Sequence, residues 1–397
     1  MFSCLEFRAT QNIKFMRKLP LKLLFFMLLL AASCSEESDL SESAMPSGEI
    51  PGNGQQGQSG LITAGEWNDL ERWDYWKDLF GKQDYAGMPS YWSFFTNGRV
   101  AVQVVDNNGV PMWNAKVELK NNNQVIWSAR TDNFGKAELW IGLYQQMQSV
   151  STDGYTLTIN GGQEHTRLKL FEEGVNQFII PNPDPTAPQK AEIAFIVDAT
   201  GSMGDELEFL KKDLEDVIRR VKENHPNTAI LTSSVFYRDE GDAYVTRVSH
   251  FTDHTATTLN FIRQQSADGG GDFPEAVHTA LNKTINELQW SDGSKTRIAF
   301  LLLDAPPHYE QNIINELQRS VAEAAKKGIK IIPITASGIE KETEFLMRFF
   351  ALSTNGTYVF ITNHSGIGND HLEPSVGEYE VEYLNNLMVR LINKYMQ

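Results

Sequence analysis

Cysteine is nearly missing from this 397-residue chain: Cys4 and Cys34 are the only two, both close to the start. Everything beyond Cys34 can therefore hold no internal disulfide and no thiolate metal site. Positive charge is also in short supply. Thirty-five Lys and Arg face 51 Asp and Glu, a formal net charge of −16. Such a chain repels phosphate backbones, which excludes nucleic acid as an expected partner. Partners should be basic, neutral, or acidic groups bridged through a cation. Long apolar runs are missing too. The run "LLFFMLLLAA" at residues 23–32 falls well short of the roughly 20 residues that cross a bilayer as a helix.

That short run has another use. Arg17, Lys18 and Lys22 precede it and the small residues of "SCSEESD" follow, the order of a cleaved export signal over residues 1–33. Translation is expected to start at Met16, because the preceding stretch adds nothing a signal needs. Residues 1–33 carry five basic side chains and one acidic, so their removal leaves the remainder four charges more negative. "LLLAASC" resembles the lipobox of bacterial lipoproteins, with Ala31 where a leucine is usual, and the resemblance implies lipidation at Cys34. "SEESD" resembles the surface-export signal of lipoproteins in the Bacteroidota. The expected location is a bacterial outer membrane or cell surface, with the membrane as a partner through the lipid.

Residues 34–65 are rich in Ser, Glu, Gly, Pro and Gln ("SGEIPGNGQQGQSG") and read as a flexible tether, with a reach on the order of 30 Å. In residues 66–97, Trp67, Leu70, Trp73, Trp76 and Phe80 recur near helical spacing. They predict a short helix docking its aromatic face on the next domain, with a glycan platform as the other reading. Over residues 98–182, seven or so short alternating segments separated by turn residues predict an all-β sandwich. "VQVVDNNGVPMWNAKVEL" and "TDNFGKAEL" resemble the carboxypeptidase-regulatory-like sandwich domains of bacterial surface proteins, which implies a spacer. The proline-stiffened residues 183–190 read as a linker. From 191 to 397, apolar strand-like runs alternate with helical ones, which predicts a doubly wound α/β domain with a mostly parallel, Rossmann-like sheet.

In such sheets ligands bind at the carboxyl ends of the strands. "AEIAFIVDATGSMGDE" ends an apolar strand on Asp198 and then delivers Thr200, Ser202, Asp205 and Glu206; "RIAFLLLD" ends on Asp304 in the same way. Between them "DGGGDFPEAV" adds Asp272 and Glu275 behind a run of glycines. Carboxylates at apolar strand ends need compensation, and carboxylates with hydroxyls suit a hard divalent cation, Mg²⁺ first, Mn²⁺ or Ca²⁺ otherwise. These residues resemble the von Willebrand factor A domain and its metal-ion-dependent adhesion site. The resemblance implies ligands Asp198, Thr200, Ser202 and Asp304, with Thr200 standing where the family usually has serine. The middle loop departs from the family's common Gly-Gly-Thr and looks closer to integrin β subunits. This leaves either Glu275 or Asp272 for the main ion and implies a neighbouring second metal at Asp205 and Glu206. Helix capping competes at both places, since Ser202 and Asp205 suit a helix start and Asp272 with Glu275 has capping-box spacing.

Other chemistry finds less support. His250 and His254 have i, i+4 spacing without a third ligand. "GGGD" lacks the Gly-Lys-Ser/Thr of a phosphate loop, no GxSxG elbow exists, and His308 is the lone candidate base near the strand ends. No catalytic residue is therefore expected. The resulting expectation is a lipid-anchored binding protein that meets a protein ligand's carboxylate through the metal. A structural subunit of a surface assembly or transport complex is the alternative, and a metal-assisted hydrolase a weaker one.

Overall fold

The computed structural model describes residues 58–181 and 189–397. The signal, Cys34 and most of the tether and linker lie outside them. The first element is strand β1, Thr63–Trp67, followed by helices α1, Trp73–Leu79, and α2, Met88–Trp92. Six strands come next: β2 (Arg99–Val105), β3 (Lys116–Asn121), β4 (Gln124–Arg130), β5 (Lys136–Trp140), β6 (Tyr155–Ile159) and β7 (Asn176–Ile179). They form two three-stranded sheets in the orders β5-β2-β7 and β4-β3-β6. The alternating segment "HTRLKL" forms no strand and meets β6 through a Leu157–His165 bridge.

The remaining chain runs β8 (Lys190–Asp198), α3 (Leu207–Asn224), β9 (Ala229–Tyr237), β10 (Thr246–Thr252), α4 (Thr255–Arg263), α5 (Val277–Asn282), β11 (Thr296–Leu303), α6 (Gln311–Lys327), β12 (Lys330–Thr335), α7 (Lys341–Ser353), β13 (Tyr358–Ile361), β14 (Glu382–Tyr383) and α8 (Leu384–Met396). Its sheet has the order β10-β9-β8-β11-β12-β13-β1-β14. The five central strands, β9 to β13 in that order, are parallel. Strands β10, β1 and β14 add antiparallel edges, so the sheet is mixed.

The sheet is covered on both faces, which explains its unbroken apolar strands. In β8, Ile193, Phe195 and Val197 pack with Leu210 and Leu214 of α3 and Leu387 and Leu391 of α8. The alternate residues Ala194 and Ile196 join Leu281 of α5, Leu317 of α6 and Phe349 of α7. Each such buried Val, Leu, Ile or Phe side chain contributes roughly 1.5–3 kcal/mol relative to exposure.

Two sequence expectations change. Residues 63–67 fall where the tether was expected to end and the aromatic segment to begin, yet they form β1, paired antiparallel with β13 and β14. Gly65 permits this: a Cβ there would lie 2.6 Å from the Phe360 ring and 2.8 Å from that of Tyr379. The small sheets, expected as a separate spacer, share one continuous apolar cluster with α6 and α7, running through Val117, Leu119, Trp127, Val321 and Phe349. The aromatic segment docks as expected. Trp76 is fully buried and stacks on Phe345 of α7 at 5.4 Å.

Candidate functional site

The parallel strands follow the order 2-1-3-4-5, so the chain reverses direction across the sheet between β8 and β11. Asp198 ends β8 and Asp304 follows β11, which puts both carboxylates at this switch point. Glu275 arrives from the loop before α5. Its amide donates to the Pro306 carbonyl at 2.8 Å and the residue bridges Pro307, which ties it to the Asp304 loop. The glycine run lies against the Asp198 loop: the Gly201 amide donates to the Gly269 carbonyl at 3.1 Å and the Asp268 amide to Ala199 at 3.1 Å. Gly270, at φ 74°, must be glycine on two counts. The backbone is left-handed, and a Cβ would lie 2.9 Å from Glu275 Oε1 and 3.3 Å from Thr200 Cβ.

All three carboxylates are buried, with one oxygen each lacking a partner among the described residues: Asp198 Oδ2, Asp304 Oδ1 and Glu275 Oε2. Asp198 Oδ1 accepts from the Thr200 amide at 2.9 Å and the Thr200 hydroxyl at 2.6 Å, and that hydroxyl lies 3.2 Å from Ser202 Oγ. Burial raises the Asp198 carboxyl above its usual range, with Asp239 adding repulsion and the Thr200 contacts opposing. Asp304 is raised by burial and then by Asp198. Glu275 is pushed up to about 9, by burial first and then by Asp198, Asp239 and Asp304. Tyr237, at the end of β9, is fully buried beside them, and burial together with the negative charges of Asp198 and Asp304 keeps its hydroxyl protonated.

Orphan oxygens on mutually repelling buried carboxylates fit a divalent cation. Among the described residues no three His, Cys, Asp or Glu side chains stand close enough to hold a metal by themselves, so the hydroxyls of Thr200 and Ser202 would have to complete the set. The remaining expected residues have different surroundings, and of them the charge of Glu206 still reaches Asp304. Asp272 and Asp205 are exposed. Glu206 is buried; its Oε1 accepts from His371 Nε2 at 2.9 Å and the Ser337 amide at 3.2 Å, while its Oε2 has no partner among the described residues. His250 and His254 are exposed, on β10 and at the start of α4.

Sequence reading passed over Asp239 and Asp242, just after β9. Asp242 Oδ2 accepts from the Gly270 amide at 2.9 Å, and Asp239 Oδ1 lies 2.7 Å from His308 Nε2. The available signal was the one used for Asp198, acids directly after an apolar strand. The rim is aromatic. Phe273 is 44% exposed, and Tyr309, 51% exposed, stacks on Tyr91 of α2 at 4.0 Å.

Comparison with known proteins follows the same lines. A family model described as von Willebrand factor A domain matches residues 192–366. An ariadne-like RING finger protein of Acanthamoeba polyphaga mimivirus is 32% identical over 130 residues, 33% of this chain and 12% of that protein. An alpha-protein kinase of Dictyostelium discoideum is 32% identical over 124 residues, 31% of this chain and 19% of that protein. The chain thus spans less than a fifth of either relative. Among solved structures, BatB from Bacteroides thetaiotaomicron is 14% identical with a TM-score of 0.36, over 52% of this chain and 98% of that one. An aerotolerance-related membrane protein from Bacteroides fragilis is 14% identical with a TM-score of 0.33, over the same shares. From the match and from its sheet with helices on both faces, this chain contains a von Willebrand factor A domain at residues 192–366.

Proposed function

We propose that this domain binds a partner through a divalent cation, Mg²⁺ first and Mn²⁺ or Ca²⁺ otherwise, held by Asp198, Thr200, Ser202, Asp304 and Glu275. The observation that carries the reading is the set of three unpartnered, buried carboxylate oxygens beside two hydroxyls at the switch point. The cation would supply a Lewis-acidic contact for a carboxylate or other anionic oxygen of a protein ligand. The protein's own groups do the positioning: Thr200 orients Asp198, the Pro306 carbonyl seats Glu275, and the aromatic rim offers apolar contact around the charge. A third acidic ligand makes the site more negative, so affinity for an incoming carboxylate should be modest.

The test is thermal unfolding. Repulsion in the cation-free site costs stability that binding restores by mass action. Millimolar Mg²⁺ or Mn²⁺ should raise the melting temperature, and chelator should reverse the rise. Asp198→Ala and Asp304→Ala should abolish the response while remaining folded, since each removes a repelling charge along with a ligand. A melting curve indifferent to all three cations, with calorimetry also silent, would sink the reading.

The wider setting is proposed on sequence grounds: a lipoprotein anchored at Cys34 on a bacterial outer membrane or cell surface. The two small sheets read as a sandwich of the carboxypeptidase-regulatory kind, supported by their three-on-three arrangement. Failure of the six strands to superpose on a solved domain of that kind would reject this. A structural place in a larger assembly is the second reading, favoured by the apolar cluster that joins small sheets and large domain. Partner binding unaffected by chelator would favour it over adhesion. No catalytic role is proposed; one would have to use His308, held by Asp239, as its base. Metal-dependent turnover of a peptide or phosphoester, lost in Asp304→Ala, would overturn that.

A further inference from the structure

At the opposite end of the sheet, a small cleft opens between the small sheets and the amino ends of β11 and β12. It has a volume of about 30 Å³ and is lined by Arg130 and Thr131 on one side and by Arg297, Gly328 and Lys330 on the other. Arg297 is 4% exposed. Its guanidinium donates only to neutral oxygens: the Ser291 and Asp292 carbonyls and the Asn114 side chain. Arg130 reaches the same Asn114 oxygen at 3.5 Å, where Arg297 bonds at 3.2 Å, so two guanidiniums converge on one neutral acceptor. Asn114 is held for this in a left-handed conformation, at φ 59°. Gly328 lets the two approach, since a Cβ there would meet Arg130 at 2.9 Å and Arg297 at 3.5 Å.

The surrounding carboxylates are committed elsewhere. Asp132 pairs with Lys330 at 3.1 Å, Glu138 with Arg99 at 2.8 Å, and Glu192 with Lys190 at 2.8 Å. Asp292, fully exposed, pairs with Arg130 at 3.9 Å, the far limit of an ion pair and open to solvent screening. Among the described residues Arg297 has no carboxylate within ion-pair distance. Burial, and then the charge of Arg130, lower its pKa to about 10, against the opposing but more distant charges of Glu192 and Asp292.

We propose that Arg130 and Arg297 hold a small inorganic anion of chloride size, which joins the small sheets to the von Willebrand factor A domain. The cleft has room for one such ion or about two waters, and an anion is what relieves two facing guanidiniums. Because the cleft lies at the amino ends of the strands, this site is independent of the carboxylate cluster at their carboxyl ends.

The test compares thermal unfolding of the full chain in sodium chloride and in sodium gluconate, whose anion is too bulky for the cleft, at equal ionic strength and with chelator present. Chloride should raise the melting temperature by on the order of 2–4 °C, saturating with concentration. Arg130→Gln should remove the difference between the two salts. In crystals grown from bromide, an anomalous peak should lie within contact distance of both guanidiniums. Equal melting in the two salts, an undiminished chloride effect in Arg130→Gln, or a bromide-grown crystal with water at this place would each overturn the proposal. Should Arg130→Gln fail to fold, the wild-type salt comparison and the bromide crystal still decide.

Discussion

At the scale of single residues, Glu275 has the most measurable consequence. Its carboxyl is pushed up to about 9, against about 4.3 in an unfolded chain. A carboxyl raised by folding destabilises the fold wherever it is ionised. The penalty is absent below the unfolded value and complete above about 9. Cation-free protein should therefore melt at rising temperature as pH is lowered from 9 to 6, and Glu275→Gln should flatten that slope. Ligation runs the other way, because it needs the ionised form. Mg²⁺ affinity should rise with pH, and uptake should release protons, read as a calorimetric heat that varies with the buffer's ionisation enthalpy. Asp272→Ala, at an exposed position, should leave both behaviours intact. A Glu275→Gln profile as steep as wild type, or a cation response lost in Asp272→Ala instead, would reassign the middle-loop ligand.

Among the elements, β1 best illustrates how a short segment is held by context. Five residues of ordinary composition become a strand because β13 and β14 present partners on either side. Gly65 faces Phe360 and Tyr379 so closely that any side chain must displace an aromatic ring. Gly65→Val should cost about 1–3 kcal/mol, as overpacking does. Amides of residues 63–67 should lose protection in hydrogen exchange before those of β8 and β11, since a strand flanked on its outer side only by the two-residue β14 opens more readily than the sheet centre. Protection of β1 unchanged in Gly65→Val would show that the strand does not depend on this contact. The helices behave more predictably. α6 closes on Gly328 in the left-handed conformation that a helix end favours.

On the scale of the whole molecule, the proposed ion-binding face and the proposed anchor must be read together. A lipid at Cys34 with a tether to about residue 60 would hold the folded body off a membrane while leaving the carboxylate cluster free. Cys34→Ala should move the protein from the membrane fraction to the soluble one, or block signal processing, measured by fractionation and by the mass of the mature N-terminus. Unchanged membrane partition with normal maturation would remove the lipid anchor from the account.

Much of the architecture was legible in the chain itself. The five parallel strands were visible because burial on both faces demands continuous apolar runs, and Asp198 and Asp304 because a carboxylate ending such a run has no structural excuse. Composition alone excluded disulfides, thiolate metals and nucleic acid as expectations. What no local pattern could decide were contacts between distant segments. Glu275 and Asp272 are equivalent as letters, and only the Pro306 carbonyl, which accepts from Glu275's amide, turns one inward and leaves the other exposed. One oxygen of Glu206 is met by His371, 165 residues away, a contact no local pattern announces. The small sheets read as a free-standing sandwich because strand periodicity reports which face is buried, not against what. Their cluster runs on into α6 and α7, and that choice belongs to tertiary packing.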